Sequence, residues 1–202
     1  MKKLLLVFTL FYASFLFAQS KIESTVVEEI NLARTNPKEY VKILEERKKY
    51  YTGMYYKVPG AVPIKLVEGI KALNEAITFL NTVKPIPALS YSKGMSKASK
   101  DHLDDMYKNN LMGHVGSNGS TTSTRINKYG EWSMAAAENI SYGETNGRDV
   151  VAALLIDDGV STRGHRKNIF MPNMKVLGVA FGKHQKYGTA CVIDFAGGYK
   201  EK

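Results

Sequence analysis

The chain has one cysteine in 202 residues, Cys191, so no internal disulfide can form and core packing must hold the fold. No cysteine stands directly after the N-terminal apolar run, which leaves lipid attachment there without an acceptor. No basic stretch is interleaved with aromatic residues as a base-stacking platform requires, so nucleic acid is not an expected partner. A helical His-Glu-x-x-His zinc motif is missing, and nothing ahead of Ser161 resembles the strained turn that presents a hydrolase serine. Acids are scarce as well: 19 Asp and Glu stand against 28 Lys and Arg, for a formal net charge of +9.

What is present begins with an export signal. Residues 1–18 carry Lys2 and Lys3, an apolar run from Leu4 to Phe17 and a small residue, Ala18, before Gln19; this is the pattern of a secretory signal peptide. The run is interrupted by Thr9, Tyr12 and Ser14 and is short for a stable membrane span. The expectation is a protein secreted or held in the periplasm or cell envelope, with residues 19–202 forming one domain. Without the two signal lysines the formal charge falls from +9 to +7, which draws a domain towards anionic surfaces such as envelope polymers and acidic lipids. The oligomeric state is left open.

Along the chain, Ser24 is placed to cap a helix carrying Val27 and Ile30, and Asn36-Pro37 breaks and restarts it. Residues 50–65 hold tyrosines, glycines and prolines and read as an irregular excursion. Helical spacing returns from Val67 to Leu80, closed by Pro85 and Pro87, and again from Ser90 to Asn109, where His102 lies by the apolar stripe and reads as a core or boundary residue. Gly113-His114 and Asn118-Gly119 mark tight turns, and the following Ser/Thr run suits a short helix near 123–128. A strand is expected to start near Ala135-Ala136-Ala137-Glu138-Asn139-Ile140, then a helix from about Gly147. Val176–Gly182 and Thr189–Phe195 read as a hairpin, with His184 on the surface of its turn and Cys191 as a buried small apolar residue.

Polar chemistry concentrates in Leu154–Phe170, where Asp157, Asp158 and Gly159 end a helix and a loop delivers Gly164-His165-Arg166-Lys167-Asn168. Asp157 and Asp158 continue two faces of that helix, and Asp157 falls on the inner one. Taken with Gly113-His114, Arg125, Glu138-Asn139-Ile140, Leu177-Gly178-Val179 and Asp194-Phe195, in this order from about Leu89 to Phe195, this stretch resembles the CAP superfamily. That superfamily comprises cysteine-rich secretory proteins, antigen 5 and pathogenesis-related 1 proteins, and the likeness is to its bacterial secreted branch. Asn31-Leu32-Ala33-Arg34 is similar to the family's opening helix. The absent disulfides and the 50–65 excursion depart from the pattern.

The resemblance implies an α+β fold, an α-β-α sandwich with a central, mainly antiparallel sheet. It also implies a cleft where His114, Glu138, Asp157 and His165 meet, with Asp158 as the rival second acid. Two neutral imidazoles suit Zn²⁺ or a similar divalent ion, with His114 and His165 as ligands; a metal-free hydrogen-bonded network is the alternative. Two functions follow as expectations. One is a binding module for a lipid, a glycan or another envelope ligand; the other is a metal-assisted peptide or ester hydrolase with Glu138 as general base. A third reading makes the polar centre a support for the fold.

Overall fold

A computed structural model describes residues 21–202; the signal segment expected at 1–18 lies outside them. Residues 21–35 form helix α1. Ser24 sits inside it rather than at its cap, and its hydroxyl donates back to the Lys21 carbonyl at 3.1 Å. Asn36 instead caps α2 (Pro37–Arg47), its side chain accepting from the Glu39 amide, with Pro37 filling the first-turn position that needs no amide donor. The excursion is ordered: a 3₁₀ turn (Lys48–Tyr50) leads into three two-residue strands, β1 (Tyr51–Thr52), β2 (Tyr55–Tyr56) and β3 (Ile64–Lys65), paired antiparallel in that order. Helix α3 (Ile70–Thr82) starts later than the apolar spacing suggests, because Gly69 in the left-handed region (φ 62°) precedes it and leaves Val67 outside and exposed.

Ser90–Tyr91 form a short strand, β4, and not the start of a helix. Ser92 then caps α4 (Lys93–Asn109), which ends on left-handed Asn110. A Thr121–Thr124 capping box opens α5 (Thr122–Tyr129). The strand expected near Ala135 begins earlier: β5 runs from Gly130 to Tyr142, kinked by a register shift between Ser133 and Ala136. Helix α6 (Gly147–Ile156), a short α7 (Gly164–Ile169) where a loop was expected, and the hairpin β6 (Val176–His184) and β7 (Gly188–Glu201) complete the chain.

The main sheet has the order β4-β6-β7-β5, antiparallel except for the β4–β6 pair. Alternation along β6 and β7 divides the core into two layers. Leu177, Val179, Phe181, Cys191, Ile193 and Phe195 join the cluster built with α1, α2, α3 and α6. Ala180, Ala190 and Val192 face Leu103 and Met106 of α4, while Ala196 meets Met95, Ala98 and Ile126 on the same side. The result is the expected α-β-α sandwich. Close approach of α4 depends on Gly178, where a Cβ would lie 2.3 Å from backbone atoms of Met95 and Ser96.

Two buried polar side chains lock distant segments to this frame. Arg34, fully buried in α1, donates to the carbonyls of Pro87, Ile169 and Met174 at 2.9, 2.5 and 3.2 Å, so it holds the C-terminal end of α7 against α1. His184 corrects the surface assignment. It is 2% exposed, its Nδ1 accepts the Lys186 amide at 3.2 Å, and Nε2 therefore donates to the Leu111 carbonyl at 2.9 Å. Burial under Tyr142 and Tyr187 explains why a turn histidine is not solvated.

Candidate functional site

One half of the site is made where α6 stops. Asp157 is the residue after the helix, in the left-handed conformation (φ 58°), so its carboxylate turns away from α6 and towards the start of α7. Oδ2 accepts the His165 backbone amide at 3.0 Å and Oδ1 the His165 Nδ1 at 2.6 Å. Asp157 is thus chosen by its helix-end geometry and not by continuing the Leu154 face. Asp158 serves another purpose, accepting the amides of Val67 and Glu68 at 2.7 and 2.8 Å. Neither Ser161 nor Thr162 hydrogen-bonds to the His165 ring among the described residues.

This turn is clamped by two arginines that sequence reasoning passed over. Arg163, 8% exposed, binds Glu68 and Glu75 at 2.6 and 2.5 Å and the Asp157 carbonyl at 2.8 Å. Hydrogen bonds from Arg163 hold the Glu68 carboxyl down at about 2, and those acids in turn raise the guanidinium above its ordinary range. Arg166 covers the end of α6 by donating to the Leu155 and Ile156 carbonyls at 2.5 and 3.1 Å. Alternating basic residues among loop-like positions gave no sign of either role.

The other half is centred on Glu138 of β5. Its Oε1 accepts from His114 Nδ1 at 2.8 Å and its Oε2 from the Arg125 guanidinium at 2.7 Å. Arg125 also donates to the His114 and Ser120 carbonyls at 3.1 and 2.9 Å, which fixes the loop carrying His114. His102, held out of the site on sequence grounds, lies within it: fully buried, 3.9 Å from Glu138 Oε1 and bonded through Nε2 to the Gly113 carbonyl at 2.8 Å. Burial pushes the His102 pKa down. For Glu138, burial pushes the pKa up, but the His114 hydrogen bond and the Arg125 charge outweigh it, and the carboxyl ends below its ordinary range.

Asp194 sits opposite Glu138 in the β5–β7 register. It is fully buried, accepts the Ser99 hydroxyl at 2.8 Å, and in its neutral form hydrogen-bonds to Glu138. Burial, and then the Glu138 charge, push its pKa well above the carboxylate range. The two acids therefore divide their protonation: Glu138 is the anion and Asp194 the neutral acid.

The halves are joined through the residue next to Glu138. Asn139 donates to the His165 carbonyl at 3.0 Å and accepts from Asn168 at 2.8 Å, which stitches α7 to β5. Asn139 is completely buried. Because an ionised carboxylate only accepts, Nδ1 of His114 carries its proton. Nε2 of both His114 and His165 has no protein partner among the described residues. The rings differ in access, the His114 side chain being 53% exposed and that of His165 25%, while both acids are 1% exposed. An imidazole oriented by a carboxylate with Nε2 free has the donor chemistry of a metal ligand. No group of three or more His, Cys, Asp or Glu that could hold a metal ion occurs among the described residues.

Beside the Glu138 half, a pocket of about 430 Å³ opens between α4 and α5. Asp101, Asp105, Asn118, Ser120, Thr124 and Lys128 line it together with His102 and Arg125. Its wall is hydroxyl, amide and charged, and the Asp105 carboxylate is already taken up by the Ser117 amide and hydroxyl at 2.7 and 2.5 Å. Nothing in the sequence marks this pocket, because its walls come from two helices and a loop that only the fold brings together.

Comparison with known proteins gives the family. The family model described as the cysteine-rich secretory protein family, CAP, matches residues 27–195, and the chain belongs to that family. Among solved structures it is similar to an extracellular SCP-domain protein of Bacillus anthracis, with 22% identity, a TM-score of 0.44, and coverage of 55% of this chain and 34% of that one. It is also similar to an outer surface protein of Borrelia burgdorferi, with 20% identity, a TM-score of 0.47 and coverage of 58% and 80%. A cysteine-rich secretory protein of Staphylococcus aureus is similar at 10% identity and a TM-score of 0.41, covering 78% of this chain and 48% of that one. The chain thus spans about a third of the first of these proteins. No curated protein sequence matches it.

Proposed function

We propose that this CAP-family chain is an exported binding module of the cell envelope, gripping its ligand at the cleft shared by His114–Glu138 and Asp157–His165. The observation that carries the reading is the division of labour in each pair: the acid is buried and fully occupied, and the imidazole presents an unpartnered Nε2. A group with both oxygens bonded and its pKa lowered is poorly suited to take a proton from water, so Glu138 acts as an orienting group. Of the envelope ligands considered, a glycan is favoured over an apolar lipid at this cleft, because the adjoining pocket is lined by hydroxyl, amide and charged groups. The test is co-sedimentation of the purified chain with insoluble envelope polysaccharide and, separately, with extracted envelope lipid. Retention on the polysaccharide is expected, weakened roughly tenfold by His114→Ala or His165→Ala, in line with loss of a hydrogen-bond acceptor. Background retention on both fractions would sink the proposal.

A second reading rests on the same free nitrogens: a divalent metal held by Nε2 of His114 and His165, with water completing its sphere. Bound there, the ion would supply Lewis acidity and an activated water, while Asp157 and Glu138 would keep both rings oriented. Metal analysis after gentle purification decides it, with stoichiometric metal in the native chain and none in either alanine variant as the supporting result.

A further inference from the structure

The excursion between α2 and α3 has no part in the cleft, yet it gathers apolar side chains at the surface. Of the twelve large apolar side chains exposed among the described residues, five lie here, Met54, Tyr55, Val62, Ile64 and Val67, and a sixth, Ile70, opens α3 beside them. The seven residues Pro59–Lys65 are all exposed in succession, and the first six of them have no polar side chain. Val62 is 86% exposed and Ile64 56%. Such a run is costly in water unless something covers it.

Cations surround this tip. Lys57 and Lys65 bracket it in sequence, Lys65 stands opposite Tyr55 in the β2–β3 register, and the Lys57 ammonium lies 5.4 Å from the centre of the Tyr55 ring. Lys49, Lys57, Lys65 and Lys71 form no ion pair among the described residues. The base of the excursion is firmly held. Asp158 caps Val67 and Glu68, Arg163 binds Glu68, the Lys57 amide bonds the Tyr50 carbonyl at 2.7 Å, and Arg47 stacks on Tyr56 at 4.8 Å. An apolar tip on a rigid base, with tyrosine and lysines at its neck, matches the layering of a bilayer surface: hydrocarbon first, then anionic headgroups. An acidic protein or polysaccharide would satisfy the lysines and leave the tip uncovered.

We infer that residues 48–71 form a docking element for the surface of a bilayer rich in anionic phospholipid, with Val62 and Ile64 entering the acyl boundary. No helix among the described residues is long and apolar enough to cross a membrane, so the contact is peripheral and reversible. It stands apart from the glycan cleft and does not depend on it.

The experiment is sedimentation of the purified chain with vesicles of phosphatidylglycerol and phosphatidylcholine, against vesicles of phosphatidylcholine alone. Binding is expected to the anionic vesicles, reduced roughly tenfold or more by the Val62→Asp/Ile64→Asp double variant and by Lys57→Glu/Lys65→Glu. His114→Ala/His165→Ala should bind vesicles as the native chain does, which separates this proposal from the cleft reading. Circular dichroism of each variant verifies folding, which is expected because all four loop side chains are exposed. The proposal is overturned if anionic vesicles fail to bind the native chain, or if folded Val62→Asp/Ile64→Asp binds them undiminished, which would assign the attraction to net charge.

Discussion

At the scale of single residues, the site is organised by which acid keeps its proton. Glu138 and Asp194 face each other across β5 and β7, and two adjacent buried carboxylates cannot both ionise cheaply. The Arg125 guanidinium and the Nδ1–H of His114 lie on the Glu138 side, so the charge settles there, and Asp194 keeps the proton with Ser99 as its hydrogen-bond donor. The two groups have opposite linkage to pH. Glu138, with a depressed folded pKa, contributes stability that is present above its unfolded value of about 4.3 and is lost as pH falls through the folded pKa. Asp194, with a raised one, contributes stability that is full below about 3.9 and declines as pH rises towards the folded pKa. Asp194→Asn, which mimics the neutral acid, should therefore melt close to the native chain near pH 4. It should melt increasingly higher than the native chain as pH rises above the unfolded value and towards the folded pKa of Asp194. Thermal denaturation across that range checks this, and a difference that stays constant or shrinks would show that Asp194 is an anion.

At the scale of elements, close packing of α4 on β6 sets where the pocket and the His114 loop can lie. Gly178 permits it, since any Cβ there meets backbone rather than a yielding side chain. Gly178→Ala is expected to cost about 3 kcal/mol or more through overpacking, lowering Tm by roughly 6–12 °C for a chain of this size; an unchanged Tm would mean that α4 is free to shift. The elements that the sequence disclosed were those with periodic apolar faces and side-chain caps: α2 after Asn36-Pro37, α4, α6 and the β6–β7 hairpin. Those it hid depend on partners distant in sequence. Helix α7 has no side-chain cap of its own and is closed by Asp157 and Arg34, while β4 exists only because β6 lies beside it. Likewise His114, Glu138 and His165 could be picked out by resemblance. Asp194 stands in the pattern that carries the resemblance but had no role there, and His102 and Arg163 could not be picked out, because their importance comes from burial against charges more than ten residues away.

For the whole molecule, the two active regions share one hinge of structure. The 157–163 turn presents Asp157 to His165 on one side and straps the 48–71 excursion through Asp158 and Arg163 on the other. A domain of formal charge +7, without the two signal lysines, would be drawn to an anionic surface at long range, and the proposed docking element would give that attraction a direction. The central claim is that His114 and His165 belong to one ligand site. Its most direct test is an NMR titration of the chain with solubilised envelope polysaccharide, following the ring nitrogens of both histidines. Nε2 of His114 and of His165 should shift together along a single saturation curve, with Nδ1 of each remaining protonated. If only one ring responds, or both stay still while resonances elsewhere saturate, the two imidazole–carboxylate pairs do not form a common site.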